Sequence, residues 1–199
     1  MAGKRSELLF VRTSPVFPCV SCRFAHAFSF FDSSDLQSNG IREAPVNVEA
    51  IAKSAGLDVR RTPAEDDISG FLLKTPNGPA VIGVNTLHHP NRQRFTISHE
   101  LGHYFLHNYE EVHVDRFLVK LRNQRSSTGE DAQEVEANAF AAELLIPERF
   151  VVKDLMEMDF NDLLDDRTML QLAKKYQVSV QAMTNRLATL GLITQSPTQ

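Results

Sequence analysis

The most restrictive feature of this sequence is a pair of histidines four residues apart with a glutamate between them, His99-Glu100-Leu101-Gly102-His103. Residues i and i+4 lie on one face of an α-helix, so both imidazoles can reach one metal ion only if this segment is helical. The stretch from Pro90 to Arg94 is typical of a turn and helix start, and apolar or small residues recur at helical spacing from Phe95 to Phe105. The sequence therefore predicts a helix that carries a metal-binding pair.

A zinc ion that activates water needs a third protein ligand and an open fourth position. His107 continues the stripe of histidines, but it lies about 12 Å along the helix from His99, too far for all three to bind one ion. We interpret His107 as a structural residue or as a partner behind the ligands. Leu106 and Tyr109 stand where an extended histidine motif would place a glycine and a third histidine. The third ligand must come from another segment.

The candidate segment runs from Glu134 to Pro147, an alanine-rich stretch that predicts a second helix ended by a proline. Its alanines favour close packing beside Gly102. Glu134 and Glu136 are separated by about 200° around a helix, so they cannot both face one ion. Asn138 shares the face of Glu134, and its amide oxygen can accept a hydrogen bond from a ligand histidine. We favour Glu134 as the third ligand and Asn138 as an orienting residue, with Glu136 as the alternative ligand.

Two stretches together, Gln93 to His107 and Glu134 to Pro147, resemble the ImmA/IrrE family of zinc metallopeptidases. The resemblance extends from Pro45 to Leu192, about three quarters of the chain. The sequence departs from the usual pattern in its long N-terminal extension and in Ser98, where an alanine is common.

The resemblance implies that His99, His103 and Glu134 bind Zn²⁺ and that Glu100 is catalytic. It also implies a biological setting, since members often inactivate a helix-turn-helix repressor by proteolysis, in mobile elements or in toxin–antitoxin-like pairs. Other members act as stress regulators. We therefore expect a helix-turn-helix repressor or antitoxin-like protein as substrate or partner.

The leading functional hypothesis is a zinc-dependent endopeptidase. The metal would polarise the scissile carbonyl and lower the pKa of water toward about 7, while Glu100 transfers the water proton to the leaving amine. Tyr104, Tyr109 and His107 are candidate donors to the oxyanion. The alternative is a non-proteolytic zinc-binding regulator that acts by partner or DNA binding. Because purely structural zinc sites usually have four protein ligands, three predicted ligands favour the enzyme.

Composition agrees with one globular unit in the cytoplasm. The chain has 199 residues, 42% of them hydrophobic and 23% charged, with a net charge of −4. No stretch approaches the roughly 20 apolar residues that span a membrane. Two cysteines are too few for a disulfide framework.

The pattern along the chain predicts an α+β, zincin-like fold with a small sheet before the histidine helix. Residues 1–44 form an extension that is disordered or results from an over-called start codon, residues 45–147 form the catalytic core, and residues 148–199 form a helical region. The elements predicted before the histidine helix are a helix at Val46–Gly56 and strands at Leu57–Arg60, Gly70–Lys74 and Ala80–Val84, with an Asn77-Gly78 turn.

The C-terminal segment from Leu172 to Leu187 resembles a helix-turn-helix, with Gln177 at the turn position where glycine is usual. Four apolar residues have the spacing that buries one helix face: Val180, Met183, Leu187 and Leu190. The basic residues Lys174, Lys175 and Arg186 are few beside the roughly 6–10 phosphate contacts of a strong DNA binder. We expect a packing or partner-docking role here rather than DNA binding.

Overall fold

The computed structural model describes residues 41–74, 78–107, 112–116, 128–158 and 165–193. Most of the predicted extension, Asn77 of the predicted turn, and Tyr109 lie outside these residues. Within them the chain forms six helices and four strands: α1 (Val48–Ser54), β1 (Leu57–Thr62), β2 (Ile68–Leu73), β3 (Ala80–Asn85), α2 (Pro90–Leu106), β4 (Val112–Arg116), α3 (Thr128–Leu145), α4 (Glu148–Met156), α5 (Asp166–Tyr176) and α6 (Val180–Thr189). A search of the helices in these ranges finds no candidate membrane span.

The four strands form one sheet in the order β1-β3-β2-β4. β1 runs parallel to β3 with Leu57 opposite Ala80, whereas β4 runs antiparallel to β2 with Val114 opposite Phe71. The α+β class and the three strands predicted before the histidine helix are confirmed. The fourth strand was not predicted; it follows that helix in the chain and pairs with β2 at the edge of the sheet.

Helix α2 packs closely on the sheet at a position without a side chain. A Cβ atom on Gly70 of β2 would lie 2.4 Å from Thr96 Cγ2 of α2 and 2.5 Å from the carbonyl oxygen of Gly83. Any larger residue at position 70 would push the helix away from the strand. Glycine at position 70 therefore allows α2 to pack closely against β2.

Asn85, which is 1% exposed at the end of β3, connects the loop between β1 and β2 to the loop that leads into α2. Its side-chain nitrogen donates to the carbonyl oxygens of Ala64 and Ile68 at 3.2 and 2.9 Å, and its oxygen accepts from the Leu87 N–H at 3.0 Å. One buried amide thus satisfies backbone groups of two loops at once, which stabilises the start of the histidine helix.

The C-terminal helices α5 and α6 are joined by a short turn at Gln177, which has φ 53° and ψ 49°. This left-handed conformation explains why glycine is usual at that position. Met183 and Leu187 of α6 are fully buried, but Val180 is 40% exposed and Leu190 is partly buried. The predicted apolar face of α6 is therefore buried only in its middle.

The C-terminal helices share one hydrophobic core with the rest of the described residues. Arg186 of α6 donates from Nε to the carbonyl oxygen of Ile146 at 3.2 Å and pairs with Glu143 of α3. Asn91 of α2 donates from Nδ2 to the carbonyl oxygen of Val178 at 2.9 Å. The region after Pro147 thus contacts α2 and the C-terminal end of α3 in the predicted catalytic core.

Candidate metal centre

The start of α2 is well defined by its local sequence. Pro90 occupies the first turn, where its missing N–H costs no hydrogen bond, and His89 Nδ1 accepts a hydrogen bond from the Asn91 N–H at 3.2 Å. Arg94 donates from Nη2 to the carbonyl oxygen of Val46 at 2.9 Å, and burial lowers the pKa of its guanidinium. These contacts fix the rotation of α2 and therefore the direction in which its histidines point.

His99 and His103 lie one helical turn apart on α2 and are 2% and 0% exposed. Their Nε2 atoms are 2.9 Å from each other. Glu134 of α3 completes the group, with Oε2 3.3 Å from His99 Nε2 and Oε1 3.4 Å from His103 Nε2. The structure thus brings together the three residues that were predicted as metal ligands.

The spacing of these atoms fits a metal ion. Ligands that bind zinc at about 2.0–2.1 Å in a tetrahedron lie about 3.3–3.4 Å from one another. The two imidazoles lie 3.3 and 3.4 Å from different oxygens of Glu134, and their Nε2 atoms are somewhat closer to each other, at 2.9 Å. One ligand atom from each of the three residues lies within 4.8 Å of the others. Two imidazoles and a carboxylate are a donor set that binds divalent metals. Among the described residues, this group is the candidate metal centre.

Gly102 explains how Glu134 reaches the histidines. A Cβ atom on Gly102 would lie 3.0 Å from Ala137 Cα and 3.1 Å from the Ala137 carbonyl oxygen, so α2 and α3 approach each other where both residues are small. The predicted close packing of the alanine-rich helix beside Gly102 is confirmed. This approach places Glu134, one turn before Ala137, beside the two imidazoles.

Glu100 follows His99 on α2, and its side chain is completely buried. The structure therefore holds this carboxylate in the helix that carries both histidines, inside the protein rather than on a solvated surface. Its catalytic role stays a prediction.

Behind His103 lie His107 and Glu136, and the contact between these two residues was not predicted from the sequence. His103 Nδ1 lies 3.0 Å from His107 Nδ1, and His107 Nε2 lies 2.8 Å from Glu136 Oε2. His107 therefore lies where a partner of the ligands was expected. Glu136, considered as an alternative metal ligand, contacts His107 instead of joining the group formed with Glu134.

Asn138 does not reach the histidines, because its side chain is exposed on α3. Four residues advance a helix by about 400° and about 6 Å, so Asn138 is turned about 40° beyond Glu134 and lies farther along the axis. Both residues were expected on one face of the helix, but Glu134 is partly buried and Asn138 is exposed. The structure therefore does not bring Asn138 to the histidines that it was expected to orient.

Of the two tyrosines predicted as candidate oxyanion donors, the structure describes only Tyr104. Tyr104 is partly buried, and Lys74 Nζ lies 5.7 Å from the centre of its ring. Lys74 is also 3.5 Å from the carbonyl oxygen of His107, at the end of α2. Tyr109 lies outside the described residues.

Comparison with known proteins agrees with this geometry. Residues 52–188 match the family model Peptidase_M78, described as the IrrE N-terminal-like domain. No curated protein matches the chain in sequence at a significant level.

Among solved structures the chain is similar to a Mycobacterium tuberculosis transcriptional regulator, with a TM-score of 0.55 and 17% identity. The match covers 89% of this chain but only 48% of that one, so the chain spans about half of the regulator's length. This likeness concerns the fold. The family match covers more than half of the chain, including the helices with His99, His103 and Glu134, and it shows that the protein belongs to the ImmA/IrrE (Peptidase_M78) family of peptidases with a zincin-like α+β fold.

Proposed function

We propose that this protein is a zinc-dependent endopeptidase that hydrolyses a peptide bond in one regulatory protein, a helix-turn-helix repressor. The observation that carries the proposal is the convergence of His99, His103 and Glu134 within 4.8 Å, where the helix of the two histidines also holds the buried Glu100. Family membership supports the reaction class.

His99, His103 and Glu134 would hold the ion, and a donor set of two imidazoles and one carboxylate favours zinc over metals that prefer six oxygen ligands. When bound, Zn²⁺ supplies a Lewis acid that polarises the substrate carbonyl and lowers the pKa of water. The Glu134 side chain is 17% exposed, whereas the imidazoles are almost fully buried, so substrate would approach from the side of Glu134.

Glu100 would act as the general base and then the general acid. Its carboxylate accepts a proton from the attacking water and delivers it to the amine nitrogen released from the peptide. A buried carboxylate suits this task because few water molecules compete for its proton. The position directly after His99 keeps it on the ligand-bearing helix.

The C-terminal helices support a partner-docking role rather than DNA binding. Two of the three basic side chains noted there are used within the protein: Lys175 Nζ lies 2.7 Å from Asp154 Oδ1, and Arg186 pairs with Glu143. Cations that are engaged in this way contribute little to phosphate binding. The repressor substrate itself is inferred from the family resemblance.

The test compares wild type with Glu100→Gln, a variant of nearly identical shape that cannot accept the water proton. Each is co-expressed with the helix-turn-helix protein encoded in the neighbouring gene, and protein N termini throughout the cell are identified by mass spectrometry. We expect one new N terminus within a repressor with wild type, and none with Glu100→Gln, while both purified proteins bind Zn²⁺ equally.

Cleavage that persists in Glu100→Gln would contradict the assigned role of Glu100. If the wild type binds Zn²⁺ and produces no new N terminus in any regulatory protein, the non-proteolytic regulator is the better description. Glu157→Gln, which removes an exposed carboxylate directly after α4, serves as the control for loss of a negative charge.

A further inference from the structure

A chain of three side chains runs from the candidate metal centre into α3. His103 contacts the other metal-binding side chains through Nε2 and contacts His107 through Nδ1 at 3.0 Å. His107 uses its other nitrogen, Nε2, to contact Glu136 Oε2 at 2.8 Å. His107 and Glu136 are 5% and 8% exposed, so these contacts are made largely out of water. No metal-binding role is left for Glu136 in this arrangement.

The hydrogen-bonding capacity of imidazole decides which nitrogen donates in each of these contacts. A carboxylate oxygen accepts hydrogen bonds, so a 2.8 Å contact with Glu136 is favourable when His107 carries its proton on Nε2. A neutral imidazole has one N–H donor and one acceptor, which leaves His107 Nδ1 as the acceptor. His103 must then donate from Nδ1–H, and its Nε2 keeps the lone pair on the side of His99 and Glu134.

We infer that His107 and Glu136 are positioning residues, which together hold His103 in the tautomer and orientation that metal binding requires. The inference rests on the metal centre of the proposed function. It gives His107 and Glu136 together the orienting task that was expected of Asn138. It also explains why Glu136 is buried although Glu134, two residues earlier on α3, is the candidate ligand.

The direct test is NMR of the full chain, labelled with ¹⁵N-histidine and loaded with Zn²⁺. A hydrogen bond between two imidazole nitrogens transmits a ¹⁵N–¹⁵N coupling, so we expect a coupling between Nδ1 of His103 and Nδ1 of His107. Its absence in the Zn²⁺-loaded protein overturns the inference. Because the measurement uses the unsubstituted chain, it decides the question even if a substitution disturbs folding.

The second test measures the affinity for Zn²⁺ by competition with a chromophoric chelator. Loss of an outer hydrogen-bond partner typically lowers metal affinity about 10- to 100-fold, and we expect this loss in His107→Ala and in Glu136→Ala. His107→Asn should recover part of the affinity, since its amide oxygen can accept from His103 near the place of Nδ1. The control Glu157→Gln should match wild type.

Failure of this inference differs from failure of the metal centre. If wild type binds Zn²⁺ far more tightly than Glu134→Ala, and both His107→Ala and Glu136→Ala match wild type, only the positioning role is overturned. If wild type binds Zn²⁺ no better than Glu134→Ala, the metal centre is overturned and the positioning role falls with it. Circular dichroism of each variant confirms that the compared proteins are folded.

Discussion

Two glutamates that lie two residues apart on α3 make different contacts because they face different directions. Glu134 lies beside the Nε2 atoms of His99 and His103, whereas Glu136 contacts His107 at the far end of the histidine stripe. The two carboxylates are about 200° apart and flank the surface of α3 that packs on α2. Each therefore meets a different part of α2, and only Glu134 reaches the candidate ligands.

At this scale we predict that Glu134→Gln loses most of the affinity for Zn²⁺. The amide keeps the shape of the side chain but offers no anionic oxygen. The loss should exceed the roughly 10- to 100-fold typical of an outer hydrogen-bond partner. Chelator competition measures it, with Glu157→Gln as the charge-matched control. An affinity equal to that of wild type would show that Glu134 is not a ligand.

The candidate ligand histidines could be predicted from the sequence because two histidines four residues apart can reach one metal ion only if the segment is helical. The structure places Glu134 beside the histidines and Glu136 beside His107, in line with the preference for Glu134. Asn138, which was expected to orient a ligand histidine, is exposed. The spacing along a helix predicts which residues share a face, but it does not predict which residues of that face are buried. Burial is set by packing against α2, which no local pattern contains.

Among the elements, the contact between α2 and α3 positions the candidate centre. The two helices meet at Gly102 and Ala137, where an added Cβ would lie only 3.0 Å from backbone. Small residues at this crossing let the two backbones approach each other. The distance between the histidines and Glu134 depends on this approach.

We predict that Gly102→Val destabilises the protein and weakens Zn²⁺ binding in parallel. Overpacking of a well-filled contact costs about 1–3 kcal/mol, and the displaced α3 would carry Glu134 away from the imidazoles. Urea unfolding and chelator competition measure the two effects. Ala139→Val, on an exposed position of α3, is the control. If Gly102→Val lost neither stability nor affinity, the close approach would be unimportant for the centre.

The elements before α2 could be predicted because each has a strong local pattern, and β1, β2 and β3 were all found. β4 was missed although Val112 and Val114 alternate with polar residues. It has only five residues, and its partner β2 lies about 40 positions earlier in the chain, across α2. A strand of this kind is defined by pairing at a distance rather than by its own sequence.

On the scale of the whole molecule, the region after Pro147 is part of the same core as the candidate centre. Arg186 is 9% exposed and joins α6 to α3 through Ile146 and Glu143, and its burial lowers the pKa of the guanidinium. The family match from residue 52 to residue 188 also crosses the predicted boundary at 147. The division into a core and a separate helical region stays a prediction, although buried residues from both parts belong to one hydrophobic core.

We predict that Arg186→Met lowers the stability of the entire protein in one cooperative transition. Removing one partner of a buried ion pair costs about 3–5 kcal/mol, and we expect the low end because Glu143 keeps partial access to water. Equilibrium unfolding in urea, followed by both fluorescence and circular dichroism, measures the change. Arg167→Met, at an exposed position of α5, is the control. Two separate transitions would show instead that the C-terminal helices fold independently.

The shared core also has a consequence for the protein while it is being synthesised. All three candidate ligands precede residue 135, whereas Leu172, Tyr176 and Leu187 complete the core much later in the chain. A nascent chain leaving the ribosome therefore carries all three candidate ligands before the last residues of its hydrophobic core are made. Until α5 and α6 emerge, the unfinished protein offers these ligands to metal ions in the cell while its core is still incomplete.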